Sequence, residues 1–176
     1  MVAVAVGSYF ISEKYGKKII ASPSMNVFNS LSMDQAKVLG ISKVIVSNEC
    51  TLDNFDKISS SLPKGITVYG RLPLMLTRNC PIKNGKSCAE CGRQSEITDR
   101  KGIKFPVRCH MGYSEILNSR PIFMADRSDE IPPCDILFFN FTTGSRSEIS
   151  EILSAYYNEE KPQGEFTRGL LYRGVE

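Results

Sequence analysis

The hydrophobic and polar positions of the chain form two alternating patterns, short apolar runs and longer stretches with one apolar face. Four apolar runs predict strands: KKIIAS (17–22), KVIVS (43–47), ITVYGRLPLML (66–76) and DILFFNFT (135–142). The second run is apolar without alternation, which is typical of a strand that is buried on both faces of its sheet.

Three segments between and after these runs carry helix signals. Ser32 and Gln35 in SMDQAKVLG have the spacing of a capping box, and Thr51 is the expected N-cap of TLDNFDKISSSLP. Ser145 and Glu148 form a second capping box before the last helix. The apolar positions of that helix share one face at the spacing i, i+3, i+4, i+7: Ile149, Ile152, Leu153 and Tyr156.

Strands and helices that alternate with short connections predict an α/β fold with right-handed parallel crossovers. Four strands are half of those in a TIM-type β/α barrel, which takes about 250 residues, and the chain has 176. We therefore expect a partial (half) barrel over residues 1–160 and a C-terminal tail over 161–176. Residues 77–134 form a long, cysteine-rich insertion, and such long connections are usually functional.

Composition restricts the class of protein further. Apolar residues make up 41% of the chain and charged residues 23%, as in globular domains. No apolar run approaches the roughly 20 residues that span a bilayer, and the first residues lack a secretory signal. We therefore expect a cytoplasmic protein with no membrane segment. In that reducing compartment, clustered cysteines more often bind metal or take part in redox chemistry than form disulfides.

Four of the five cysteines in the insertion have the spacing C-x7-C-x2-C-x17-C: Cys80, Cys88, Cys91 and Cys109. A C-x2-C pair lets two sulfurs from one tight turn reach the same ion. Four thiolates suit tetrahedral zinc or a [4Fe–4S] cluster, and the spacing alone favours zinc.

Basic residues are concentrated in the same region. The segment from Arg78 to Cys109 contains eight basic and three acidic residues, whereas the whole chain has a net charge of only +3. An electropositive surface of this kind fits a phosphate-bearing partner such as structured RNA. Alternatively, the basic residues offset the negative charge of metal-bound thiolates.

Six segments in this order resemble peptidase family U32, the collagenase-like peptidases: SMNVFNSLS, VYGRLPLMLTRNCPIK, CAEC, TDRKGIKFPVRC, EILNSRPIFMAD and the closing FTRGLLYRGVE. The resemblance covers residues 19–176 and implies that the chain is the C-terminal portion of such a protein. It also implies a partner, either a missing N-terminal half-barrel or a second copy of this chain.

The resemblance implies a function as well. Relatives in this family take part in hydroxylation of tRNA or rRNA bases, or of the ubiquinone ring, and are associated with a [4Fe–4S] cluster. Carried over to this chain, the cluster ligands are the same four cysteines: Cys80, Cys88, Cys91 and Cys109. The resemblance also marks two candidate catalytic residues, Asn26 after the first strand and Arg71, whose guanidinium suits a carboxylate or phosphate.

Two alternatives to an RNA-hydroxylation component remain open. A collagenase-like peptidase would need a free thiolate beside the single histidine, with Cys50 and His110 as the candidates, because no H-E-x-x-H motif is present. A non-catalytic module, stapled by zinc, would bind RNA or protein. The exposed sheet edges of a half-barrel predict self-association in either case.

Overall fold

The computed structural model describes residues 2–3, 14–82, 90, 94–110, 112–161 and 164–173. The strands are β1 (Val2–Ala3), β2 (Ile20–Ala21), β3 (Lys43–Ile45), β4 (Lys64–Gly70), β5 (Pro73–Thr77), β6 (Gln94–Thr98), β7 (Lys104–Cys109), β8 (Ser114–Leu117) and β9 (Ile136–Asn140). The α-helices are α1 (Ser30–Val38), α2 (Leu52–Lys57) and α3 (Arg146–Tyr157), and 3₁₀ helices span Pro23–Met25 and Ala125–Glu130.

The chain divides into two compact units, each with its own sheet. Unit 1 comprises Met1–Gly70 and Ile122–Glu176, and unit 2 comprises Arg71–Pro121. Unit 1 has a parallel sheet in the order β1-β2-β3-β4-β9, and unit 2 has an antiparallel sheet in the order β5-β8-β7-β6. The α/β class is thus confirmed, and the strands placed in these units form no closed barrel. Among the residues covered, no helix is long and apolar enough to cross a bilayer.

Four strands of the parallel sheet form from the apolar runs, as predicted, but β1 was not predicted and the third run is not one strand. Val44, Ile45 and Val46 are at most 1% exposed, which confirms a central strand buried on both faces. Residues 66–76 instead divide between β4 and β5, so the prediction of a single strand there is wrong. Gly70 has a φ of +133°, which side-chain-bearing residues rarely adopt, and this backbone conformation ends β4.

The helix caps explain where the helices of unit 1 begin. Asn29, not Ser32, is the N-cap of α1: its Oδ1 accepts from the Ser32 N–H at 2.8 Å, and Ser32 Oγ accepts from the Asn29 N–H at 3.0 Å. Ser32 therefore belongs to a capping box, but as its third helical residue. The predicted caps Thr51 and Ser145 are both confirmed.

Helix α3 packs on the sheet through an aromatic cluster. Its members are Tyr69, Phe123, Phe139, Phe141, Tyr156 and Phe166. Ile152 and Ala155 of the helix also join this cluster, whereas Leu153 is 47% exposed, so the predicted apolar face is displaced toward Ala155.

The segment near the C-terminus is tied into unit 1 by specific contacts. Thr167 pairs with Ile122, and Leu171 O accepts a hydrogen bond from the Leu52 N–H at 2.8 Å. Leu171 is only 4% exposed. Leu171 therefore belongs to the core of unit 1, and the segment around it packs against that unit.

Tyr156 gives the first test of this packing. Its hydroxyl donates to the Val68 carbonyl and accepts from the Met124 N–H at 2.7 Å, while burial raises the pKa of Tyr156. Tyr156→Phe leaves both backbone groups without this partner, so we expect a loss of about 1–3 kcal/mol in the free energy of unfolding, measured by urea denaturation. Tyr157→Phe is the matched control, because Tyr157 is 90% exposed; equal losses in the two variants would contradict the role assigned to the Tyr156 hydroxyl.

Asp126 gives a second test, through pH. The Arg168 guanidinium donates two hydrogen bonds of 2.8 Å to its carboxylate, and these hold the pKa of Asp126 below its usual range. A lowered folded-state pKa stabilises the protein above the unfolded-state pKa of about 4, and this stabilisation is lost as the pH falls through the folded-state value. Asp126→Asn should therefore destabilise the protein at neutral pH and progressively less below about pH 4. Urea denaturation across this range measures the difference, and a gap that does not change with pH would refute the linkage.

Candidate metal centre

The antiparallel register of unit 2 brings four strand ends to one end of its sheet. Thr77, the last residue of β5, and Cys109, the last residue of β7, both pair with Ser114 at the start of β8. Gln94, the first residue of β6, pairs with Arg108, which precedes Cys109. Since adjacent strands lie about 4.8 Å apart, these ends span roughly 15 Å.

Two of the predicted metal ligands lie at this end. Cys109 ends β7, and Cys80 follows the end of β5 by three residues. Both are half-buried free thiols. Cys88 and Cys91 lie outside the described residues.

The segment that carries Cys88 and Cys91 is nevertheless attached at this same end. The chain leaves the sheet at Thr77, the last residue of β5, and rejoins it at Gln94, the first residue of β6. In the strand order β5-β8-β7-β6, these two residues lie on either side of Cys109 at the same end of the sheet. At up to about 3.3 Å per residue, the intervening segment has ample length to return across four strand ends. Cys80, Cys109 and both attachment points thus share one end of the sheet.

The chemistry of these donors limits the metals that would fit. Thiolates are soft ligands that select zinc, copper(I) or iron–sulfur clusters rather than magnesium or calcium. Two of the four thiols lie in the described part of the chain, and within that part no group of three or more histidine, cysteine or acidic side chains is arranged to hold a metal ion. The placed thiols are compatible with the four-cysteine prediction, which therefore stays a prediction.

His110 is held in the turn between β7 and β8. Its N–H donates to the Tyr113 carbonyl at 2.9 Å, and the two rings stack with centroids 4.6 Å apart. Its Nε2 accepts from Arg108 Nε at 2.9 Å and lies 3.3 Å from Glu115 Oε2. These contacts fix the turn that follows Cys109.

Arg71 is held by backbone carbonyl groups. Its Nη1 donates to the carbonyl oxygens of Asn118, at 3.0 Å, and Ser119. These contacts tie the start of unit 2 to the segment that follows β8. Among the described side chains, no carboxylate forms an ion pair with Arg71.

Asn26 lies beyond the carboxyl end of β2, where the chain makes a 3₁₀ turn. It adopts the left-handed conformation with a φ of 52°, and its Oδ1 accepts from Ser47 Oγ at 2.7 Å. Sequence reasoning singled out Asn26 but missed Ser47. The available signal was the serine that closes the apolar run KVIVS, at the carboxyl end of a buried strand.

Cys50 does not have the environment of a nucleophile. It is 1% exposed, and burial raises the pKa of its thiol, an effect that nearby Lys64 opposes to a smaller extent. A reactive cysteine needs access to substrate and a lowered pKa. Both observations disfavour Cys50 as the nucleophile of a cysteine peptidase.

The fold and the candidate site define an α/β protein whose parallel sheet is accompanied by a cysteine-bearing antiparallel unit. The sequence model of peptidase family U32 matches residues 3–95, more than half of the chain, and the chain belongs to this family. The match includes Cys80, Cys88 and Cys91, whereas Cys109 and His110 lie beyond it. No curated protein and no solved structure matches the chain.

Proposed function

We propose that this protein is a component of an RNA-base hydroxylation system and that its unit 2 holds a metal centre, a [4Fe–4S] cluster, on Cys80, Cys88, Cys91 and Cys109. The observation that carries the proposal is the register of the antiparallel sheet. In this register, Cys109 lies at the same end of the sheet as Thr77, three residues before Cys80, and as Gln94. The segment that carries Cys88 and Cys91 connects Thr77 to Gln94.

The residues near this end support a metal rather than a disulfide. Cys80 and Cys109 are both free, and each follows or ends a strand whose partner is β8. The His110 turn, fixed by Tyr113 and Glu115, holds the backbone next to Cys109 and so would position that thiol for a ligand. When bound, a [4Fe–4S] cluster would supply one-electron transfer; a zinc ion would act as a structural staple.

The charge of unit 2 supports RNA as the substrate class. Arg78 is exposed beside the cysteine end, and Arg100 and Lys101 are exposed in the turn between β6 and β7. By contrast, Lys104 forms an ion pair with Glu96, in which Nζ lies 2.5 Å from Oε1. The exposed cations are available to phosphates, whose neutralisation dominates nucleic-acid affinity.

The parallel sheet supports a proposal about assembly. We propose that unit 1 is part of a half TIM-type barrel whose edge strands, β1 and β9, pair with a second copy or with an N-terminal half-barrel. The protein would then act in the cytoplasm as an oligomer. An N-terminal partner of this kind would make the present chain the C-terminal portion of the complete enzyme.

The metal proposal predicts a defined stoichiometry. After anaerobic reconstitution we expect about four irons and four acid-labile sulfides per chain, and their loss in Cys88→Ser, because a cubane cluster needs all four thiolates. Cys134→Ser is the matched control, since Cys134 is half-buried in unit 1, outside the cysteine set. Iron, sulfide and zinc analysis with absorption spectra measures the result. One zinc per chain and no sulfide would favour a structural zinc ion over a cluster. Equal metal loss in both variants would contradict a metal centre on these four cysteines.

The RNA proposal predicts a change in salt dependence. The double variant Arg100→Ala with Lys101→Ala should weaken binding to single-stranded RNA and reduce the slope of log K against log salt by about 1.4, or about 0.7 per lost phosphate contact. The control removes two exposed lysines of unit 1, with Lys14→Ala and Lys43→Ala. Fluorescence anisotropy over a salt series provides the measurement. Identical slopes in both double variants would argue against unit 2 as the RNA-binding surface.

A further inference from the structure

One face of the antiparallel sheet in unit 2 carries a row of side chains that crosses three of its strands. Residues directly opposite each other in an antiparallel pair share a face of the sheet. Arg108 of β7 pairs with Glu115 of β8, and Glu115 pairs in turn with Leu76 of β5. Arg108, Glu115 and Leu76 therefore lie side by side on one face, and we call them the Arg108 row.

The predicted metal ligand Cys109 belongs to the opposite face. Successive side chains of a strand point to opposite faces of the sheet, and Cys109 is the residue after Arg108. Its partner Ser114 precedes Glu115 in the same way. The Arg108 row therefore lies on the face of the sheet away from the Cys109 thiol, so a partner bound at the row would leave that thiol to the metal.

Two stacked aromatic rings lie at the end of the Arg108 row. The His110 ring is on this face, because its Nε2 accepts from Arg108 Nε at 2.9 Å and lies 3.3 Å from Glu115 Oε2. The Tyr113 ring stacks on His110, with centroids 4.6 Å apart and an angle of 9° between the ring planes. Tyr113 is thus held parallel to a ring that two polar contacts fix in place.

The Tyr113 ring remains accessible from outside the protein. Tyr113 is 45% exposed although His110 covers one face of its ring, so the exposed surface includes the opposite face and the ring edges. Leu76, in the same row, is 66% exposed. A flat ring face that is open to solvent and has an exposed apolar side chain in the adjoining row offers a contact surface for another planar ring.

The charges around this surface favour a partner that carries phosphate. Within the row, Arg108 Nε lies 3.5 Å from Glu115 Oε2, so these two charges offset each other. Arg78 directly follows β5 at the same end of the sheet and is exposed. The segment from Arg78 to Cys109 contains eight basic and three acidic residues. A planar partner with negative charge next to its ring therefore fits this surface better than an uncharged aromatic group does.

We infer that Tyr113 stacks on an unpaired base of an RNA strand while Arg78 contacts a neighbouring phosphate. Bases inside a double helix are stacked on both faces, so only an unpaired base can present a free face to the ring. The contact with His110 holds the Tyr113 ring in place before binding, which reduces the entropy cost of the stack. This inference rests on the proposed RNA function, and it names the form of RNA and a residue that recognises it.

Fluorescence anisotropy with two labelled probes tests the stack. One probe is a short oligouridine, since stacking tolerates any base, and the other is an abasic strand of the same length, which keeps the phosphates but has no bases. Tyr113→Ala should weaken oligouridine binding by about 5- to 150-fold, the range for the loss of one base–aromatic stack, and leave binding of the abasic strand unchanged. Tyr113→Phe keeps the ring and should bind as the wild type does. Tyr157→Ala, which removes a tyrosine of unit 1 that is 90% exposed, is the matched control and should also bind as the wild type does.

A salt series with the same probes separates the ring from the charge. Tyr113→Ala should lower the affinity for oligouridine at every salt concentration without changing the slope of log K against log salt, whereas Arg78→Ala should reduce that slope by about 0.7. The stack is wrong if Tyr113→Ala binds oligouridine as tightly as the wild type does, if it weakens binding of both probes equally, or if it changes the slope. The RNA proposal survives each of those results. If the wild type binds neither probe, the RNA proposal and this inference fail together.

Discussion

The contact between β4 and β9 is the constraint on which unit 1 depends, and it requires glycine at two positions. A Cβ at Gly65 would lie 2.6 Å from Ile136 Cβ, and one at Gly70 would lie 2.6 Å from the Asn140 carbonyl oxygen. Real Cβ atoms do not approach other atoms so closely, so the two backbones meet only because these side chains are missing. This pairing joins the two segments of unit 1, Met1–Gly70 and Ile122–Glu176. Unit 2 lies between these segments in the sequence.

An inserted unit of about 50 residues is compatible with this closure. The entropy cost of closing a loop grows only with the logarithm of its length, so a doubling of the loop costs about 0.6 kcal/mol. The strand pair that closes the loop gains hydrogen bonds along five registered residue pairs. The insertion point can therefore carry a separate sheet with its own chemistry while the core of unit 1 stays intact.

Strand β4 also contacts the helix that precedes it. At its amino end, Lys64 Nζ donates to the carbonyls of Phe55 and Ile58, which close α2. At the middle of the strand, Thr67 carries a buried hydroxyl without a described partner.

Local patterns in the sequence predicted local structure, and tertiary contacts decided the rest. Thr51 and Ser145 were identifiable as caps because capping is a local interaction, whereas the N-cap of α1 is Asn29, three residues before the predicted cap Ser32. The division of residues 66–76 depends on the backbone at Gly70, which an apolar run does not reveal. The hydrogen bond between Ser47 and Asn26 was not predictable, because it joins residues that follow two different strands. The spacing of the cysteines was visible, whereas the placement of Cys80 and Cys109 at one end follows from the pairing with β8.

The small size of unit 2 bears on the proposed metal centre. With about 50 residues it falls in the size range where a hydrophobic core alone is marginal. Its edge strand shows this weakness, since Leu74, Met75 and Leu76 are all more than half exposed. The binding free energy of a structural metal acts as folding free energy in small units of this kind. The proposed four-cysteine centre would then act in two ways, because the thiolates that hold a redox cluster would also link β5 and β7 of this small sheet.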